Sequence, residues 1–194
     1  MKKLLITGFD PFGGETINPS WEAVSRLPDK IGGYVLTKKC IPVVFSQAAE
    51  AVLDAAKELC PDVILCIGQA GGRSAITPEL VAINHRHASI PDNKGNHPSD
   101  EKIYENGDAA YFCTVPVRRI ADAIADSGVS SQVSYSAGAY VCNDVLYTLL
   151  KHYDGSDVKV GFIHIPYSKE QGKEPSMALE DIIRGLTVAI ENID

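Results

Sequence analysis

Asp62-Val-Ile-Leu-Cys-Ile-Gly68 is an unbroken apolar run closed by glycine. A short run of this kind, without polar alternation, reads as a strand buried on both faces. Upstream, Ser46–Leu59 carries Ala48, Val52, Ala55 and Leu59 on one helical face. Before that, Tyr34–Val43 reads as a strand, and Trp21 to Leu27 as a helix that Asn18 and Ser20 can cap. Lys3–Gly8 is a further short apolar strand, closed by the loop Gly8-Phe-Asp-Pro-Phe-Gly-Gly14.

Downstream, Leu80–His87 alternates as a strand does, and Pro116–Ser127 reads as a helix with proline in its first turn. Gln132–Tyr135 reads as a strand, Cys142–His152 as a helix and Val158–Ile165 as an apolar strand. Met177–Ile193 closes the chain as an amphipathic helix, with Leu179, Ile182, Ile183, Leu186 and Ile190 at helical spacing. Ile90–Gly107 and Ser168–Pro175 are polar and irregular; long loops of the first kind tend to be functional or interfacial. Alternating strands and helices predict an α/β protein: a three-layer α/β/α single domain over residues 1–194, with a mostly parallel twisted sheet.

Composition bounds the function. The chain has 194 residues, 45% of them hydrophobic and 22% charged, with a formal net charge of -7. That is an ordinary soluble composition. Lys2-Lys3, Lys38-Lys39 and Arg118-Arg119 are its only basic pairs, so no nucleic-acid footprint is expected. No apolar run approaches the roughly 18 residues of a membrane span, and Gly8, Asp10 and Pro11 cut short the run that a signal peptide would need. Five cysteines at irregular spacing, without C-x-x-C, argue against a disulfide framework or a structural zinc site. A cytoplasmic location follows.

Function in an open α/β sheet gathers outside the C-terminal strand ends. That rule selects Gly8–Gly14, Gly68–Glu79, Ser136–Cys142 and His164. It brings together a cysteine, a histidine and a carboxylate: Cys142, His164 and Glu79. Cys142 opens a helix, whose N-terminal N–H groups and partial positive charge favour a thiolate. His164 would take the thiol proton and later protonate a leaving amine. Glu79 would hold the imidazole tautomer. His85 and His87, alternating on one strand, suggest a metal pair, but no third ligand stands at clear spacing. His97 and His152 read as solvated or structural. The glycine-rich loops match neither the dinucleotide nor the phosphate-loop pattern.

The chain resembles the pyroglutamyl peptidase I family of cysteine exopeptidases. The resemblance rests on Thr7-Gly-Phe-Asp-Pro-Phe-Gly-Gly14 with Asn18-Pro19, Gly68-Gln-Ala-Gly-Gly-Arg73 and Ile76-Thr-Pro-Glu79. It continues through Ala82-Ile-Asn84, Ile90-Pro-Asp-Asn93, Ser136-Ala-Gly138, Tyr140-Val-Cys-Asn143 and His164-Ile-Pro166, in family order. It implies hydrolysis of the amide after an N-terminal pyroglutamyl residue of peptides, with Cys142, His164 and Glu79 as catalytic residues. It implies substrate binding by Phe9, Phe12, Asn18, Gln69, Ile90 and Val141, no cofactor or metal, and a homotetramer or dimer. The Cys142 N–H is the natural first oxyanion donor.

Two positions depart from the pattern. Ser89 stands where the family has an arginine that helps to hold the oxyanion, and Leu80 also replaces an arginine. Two other readings therefore stand beside the first. One is a weakly active or inactive relative that binds a lactam or peptide terminus. The other is a cysteine amidohydrolase for another small blocked amide, which a substrate panel separates.

Overall fold

The computed structural model describes all of residues 1–194. Ten strands and five helices follow in chain order. They are β1 Lys2–Phe9, α1 Pro19–Arg26, β2 Lys30–Ile31, β3 Tyr34–Ile41, α2 Gln47–Leu59, β4 Val63–Gln69, β5 Thr77–Pro78, β6 Val81–Ile83, β7 Ala110–Phe112, α3 Val117–Asp126, α4 Val141–His152, β8 Lys159–Ile165, β9 Tyr167–Ser168, β10 Ser176–Met177 and α5 Leu179–Glu191. Six strands form the main sheet in the order β2-β3-β1-β4-β8-β5. Its centre, β3-β1-β4-β8, is parallel; β2 and β5 are antiparallel edges.

Side-chain alternation divides the core between the two faces of the sheet. Leu4, Ile6, Leu65, Ile67, Ile163 and Ile165 pack with α1, α3 and α5 on one face. Leu5, Phe9, Ile64, Cys66, Val160 and Phe162 pack with α2 and α4 on the other. The apolar run at Val63–Ile67 is thus covered on both faces, giving three layers. The start of α1 follows its sequence signal, because Asn18 Oδ1 accepts from Ser20 N–H at 3.1 Å.

Three expectations need correction. Gln132–Tyr135 is not a sheet strand. It runs beside β5 through single parallel bridges at Ile76–Ser131 and Glu79–Ser134. Its residue Tyr135 is 62% exposed. The strand expected over Leu80–His87 shrinks to β6, which pairs with β7 in a separate two-stranded sheet. Asn84 ends it by bonding the 103–107 backbone, accepting from Ile103 and Tyr104 N–H and donating to Tyr104 and Gly107 carbonyls. Pro116 caps α3 rather than lying within its first turn. The irregular 90–107 segment is nonetheless pinned, since the Asp92 carboxylate accepts from the backbone N–H groups of Phe45, Lys94 and Asn96.

Candidate active site

Sheet register assembles the site. Gly68 at the end of β4 lies opposite His164 on β8, and Thr77 on β5 lies opposite His164 from the other side. Glu79 continues that antiparallel run, donating its N–H to the Phe162 carbonyl at 2.9 Å. Paired residues point to one face, so His164 and Glu79 share the face that α4 covers. There the Glu79 Oε1 and His164 Nδ1 atoms are 2.7 Å apart. Both side chains are buried, Glu79 completely.

Cys142 comes onto this face from above, on the first turn of α4. Gly68 makes room for it. A Cβ built on Gly68 would lie 3.1 Å from Cys142 Sγ and 2.7 Å from Phe162 Cζ. The sulfur therefore sits over the strand position beside His164. Tyr140 caps α4 without a side-chain bond, which leaves the first-turn N–H groups free of a side-chain acceptor.

The electrostatics differ from the expectation drawn from the helix terminus alone. Burial pushes the Cys142 thiol up to about 12, and the Glu79 charge adds to the rise; the Arg73 guanidinium and the residue's own backbone N–H oppose it. Desolvation outweighs the helix end here, so the resting group is a thiol. Burial likewise holds His164 below its ordinary value of 6.5, against the pull of Glu79. Burial opposes ionisation of Glu79 too, but its hydrogen bonds to His164 and Arg73 keep the carboxyl below its usual range. The arrangement is a neutral thiol and a neutral imidazole whose Nδ1–H is directed at a carboxylate.

The residues expected to bind substrate divide into two groups. Phe12 is half-buried, 6.4 Å from the Tyr140 ring by centroid, and Ile90 lies next to Gly13 with 44% exposure. Gln69 ends β4 half-buried, its Oε1 accepting from Gln171 Nε2 at 2.9 Å. Phe9 and Val141, by contrast, are buried in the core, Val141 as the first residue of α4. Asn18 Oδ1 is engaged by the Ser20 amide and hydroxyl, and its Nδ2 donates to the Asp10 carbonyl. Ser89 is exposed.

Neither histidine of the 85–87 segment lies on a strand. His85 Nε2 and His87 Nδ1 are each 3.2 Å from Asp100 Oδ1, and no group of three or more His, Cys, Asp or Glu side chains is placed to hold a metal ion. A polar cavity of about 520 Å³, lined by Phe45, Ser46, Gln47, Arg86, His97 and Glu101 among others, touches none of Cys142, His164 and Glu79.

Two residues beside Cys142 were not expected from the sequence to have a part in the site. Asn143 Oδ1 accepts from Ile83 N–H, and its Nδ2 donates to the Ile83 and His85 carbonyls. The buried Asp144 carboxylate accepts from Ser46 N–H at 2.8 Å and from Arg86 Nε at 2.5 Å. Their signal was an Asn-Asp pair at the start of an otherwise apolar helix, which requires partners when buried.

A family model described as pyroglutamyl peptidase matches residues 2–194. A pyrrolidone-carboxylate peptidase of Lactobacillus helveticus is 50% identical over 194 residues, covering 97% of each chain. One from Levilactobacillus brevis is 50% identical, covering 98% of this chain and 97% of its own. Among solved structures, the pyroglutamyl peptidase I of Bacillus amyloliquefaciens superposes with a TM-score of 0.95 at 45% identity, covering 100% of this chain and 97% of that one. The pyrrolidone carboxyl peptidase from Thermococcus litoralis gives 0.94 at 38%, covering 100% and 93%.

Proposed function

The chain belongs to the pyroglutamyl peptidase family, and from that premise we propose that it hydrolyses the amide after an N-terminal pyroglutamyl residue with Cys142 as nucleophile, His164 as acid and base, and Glu79 as the group that orients His164. The observation that carries this reading is the 2.7 Å contact between His164 Nδ1 and Glu79 Oε1. It leaves Nε2 unprotonated and free to accept the thiol proton.

The steps balance. Sγ attacks the pyroglutamyl carbonyl carbon as its proton passes to His164 Nε2. The oxyanion is held by the Cys142 N–H at the open end of α4. Nε2–H then protonates the leaving amine, the C–N bond breaks, and a thioester remains. Water adds to the thioester with His164 as base, pyroglutamate leaves, and Sγ recovers its proton.

The uncharged lactam suits an apolar recess with a few amide partners. Phe12 and Ile90 at the rim, Phe9 and Val141 beneath, and backbone groups around Gln69 supply that chemistry, with Asn18 fixing the loop through Ser20 and the Asp10 carbonyl. Residues 1–194 act as one catalytic domain without a cofactor, in the cytoplasm, where five free thiols are compatible with reducing conditions. The reading includes a homotetramer or dimer, and the exposed Phe112 and Tyr135 give apolar surface for such contacts.

Release of aminocoumarin from a pyroglutamyl conjugate, beside prolyl and glutaminyl analogues, tests the reading. The pyroglutamyl compound alone should turn over, and Cys142→Ala should abolish turnover while leaving the fold intact. Undiminished turnover in Cys142→Ala would end the nucleophile assignment.

A further inference from the structure

Arg73 lies in the turn between β4 and β5 and reaches Glu79. Its Nη1 donates to Glu79 Oε1 at 2.7 Å and to Thr77 Oγ1 at 2.6 Å. Its Nη2 donates to the Ser136 carbonyl at 3.1 Å. The oxygen that Arg73 grips is therefore the same Oε1 that faces His164 Nδ1. The other carboxylate oxygen, Oε2, is buried and has no hydrogen-bond partner. One guanidinium thus joins the β5 edge, the acidic residue and the turn that leads to Cys142.

We propose that Arg73 is a positioning residue of the hydrolytic site: it fixes the Glu79 carboxylate on His164 and anchors the nucleophile-bearing turn through Ser136. The proposal rests on the roles of Cys142, His164 and Glu79 given above. A planar fork with donors in fixed directions suits this task, whereas an ammonium would supply the charge without the geometry. At 29% side-chain exposure, Arg73 is partly shielded from solvent and its charge is felt in the site.

The charge acts in three directions. It holds Glu79 ionised, opposes formation of the His164 imidazolium, and favours the Cys142 thiolate. The other groups facing this centre are His164 from β8, Ser134 from the segment beside β5, Cys142 from α4, Cys66 from β4, and Cys113 after β7. None of these is a cation at neutral pH, so Arg73 is the lone fixed positive charge against Glu79.

The test uses Arg73→Gln and Arg73→Lys in the full chain, with two readouts. One is the pH profile of kcat and KM on the pyroglutamyl conjugate. The other is the rate of iodoacetamide capture at Cys142, followed by peptide mass because Cys40 and Cys60 are also exposed. Arg73→Gln should lower kcat by about 10- to 100-fold, equivalent to about 1.4–2.7 kcal/mol, with KM little changed. Its acid limb should move to higher pH, because His164 loses an opposing charge. Capture at a fixed pH should slow, because Cys142 loses a favouring one. Arg73→Lys should return the limb and the capture rate towards wild type without restoring kcat.

Wild-type kcat and limb in Arg73→Gln would overturn the proposal. So would a fall in kcat with the limb and capture rate unmoved, which marks a merely structural role. If Arg73→Gln does not fold, Arg73→Met takes its place under the same criteria. If the wild-type protein does not turn over the pyroglutamyl conjugate, the substrate assignment fails separately and the capture rates alone decide on Arg73.

Discussion

At the scale of single residues, the site couples three groups whose protonation states depend on one another. His164 is held below 6.5, so its ring is neutral at pH 7 and able to accept a proton. The acid limb of kcat/KM should therefore lie below about pH 6.5, with activity lost as pH falls and the ring takes up a proton. Glu79→Gln should lower kcat by as much as about 10⁴-fold, because a neutral amide no longer selects the productive tautomer. The pH–rate profile of the variant checks both points, and a Glu79→Gln enzyme of wild-type rate would remove Glu79 from the mechanism. Cys142 and His164 were readable as helix-start and strand-end residues respectively. The protonation state of Cys142 was not. Helix position is written in local sequence, whereas desolvation comes from distant segments such as Phe162 and Gly68.

At the scale of elements, the long apolar strands and amphipathic helices were legible because each carries its own periodicity. Their ends shifted by a residue or two, as expected where helices and strands fray. The short pieces were not legible. β5 is only Thr77-Pro78, and proline reads as a breaker except on an edge, where no ladder N–H is needed. Yet β5 delivers Glu79. Gln132–Tyr135 does run beside Ile76–Leu80, its amides bonding the Ile76 and Pro78 carbonyls, but only through isolated bridges. Gly68 is where element geometry meets chemistry most directly. Gly68→Ala would thrust a methyl group against the Phe162 ring and the Cys142 sulfur. Overpacking of that kind costs about 1–3 kcal/mol. Thermal unfolding should show that modest loss, while kcat falls by a larger factor because the sulfur is displaced from His164. Equal losses in Gly68→Ala and in a core variant of matched stability would count against the placement of Sγ.

At the scale of the whole molecule, Asp194 ties the chain end to the sheet. Its carboxylate accepts from Lys2 Nζ at 2.7 Å and Lys159 Nζ at 3.0 Å. These bonds, with Tyr34, hold its pKa well below the ordinary carboxylate value of 3.8. A depressed acid contributes stability that is complete above its unfolded value and lost as pH falls towards the folded one. Asp194→Asn should thus melt below wild type at pH 7, by the modest amount that exposed ion pairs allow. The gap should close as pH drops beneath about 4. A gap that persists in acid would point to another cause.

The strand order β4-β8-β5 also sets a schedule for the growing chain. β5 is made some eighty residues before β8, the only main-sheet strand it pairs with. Until β8 arrives, Glu79 lacks the Phe162 carbonyl and the His164 ring that it bonds. With only β9, β10 and α5 still to follow β8, the site closes late, and a nascent chain that stops short of β8 should be without hydrolytic activity.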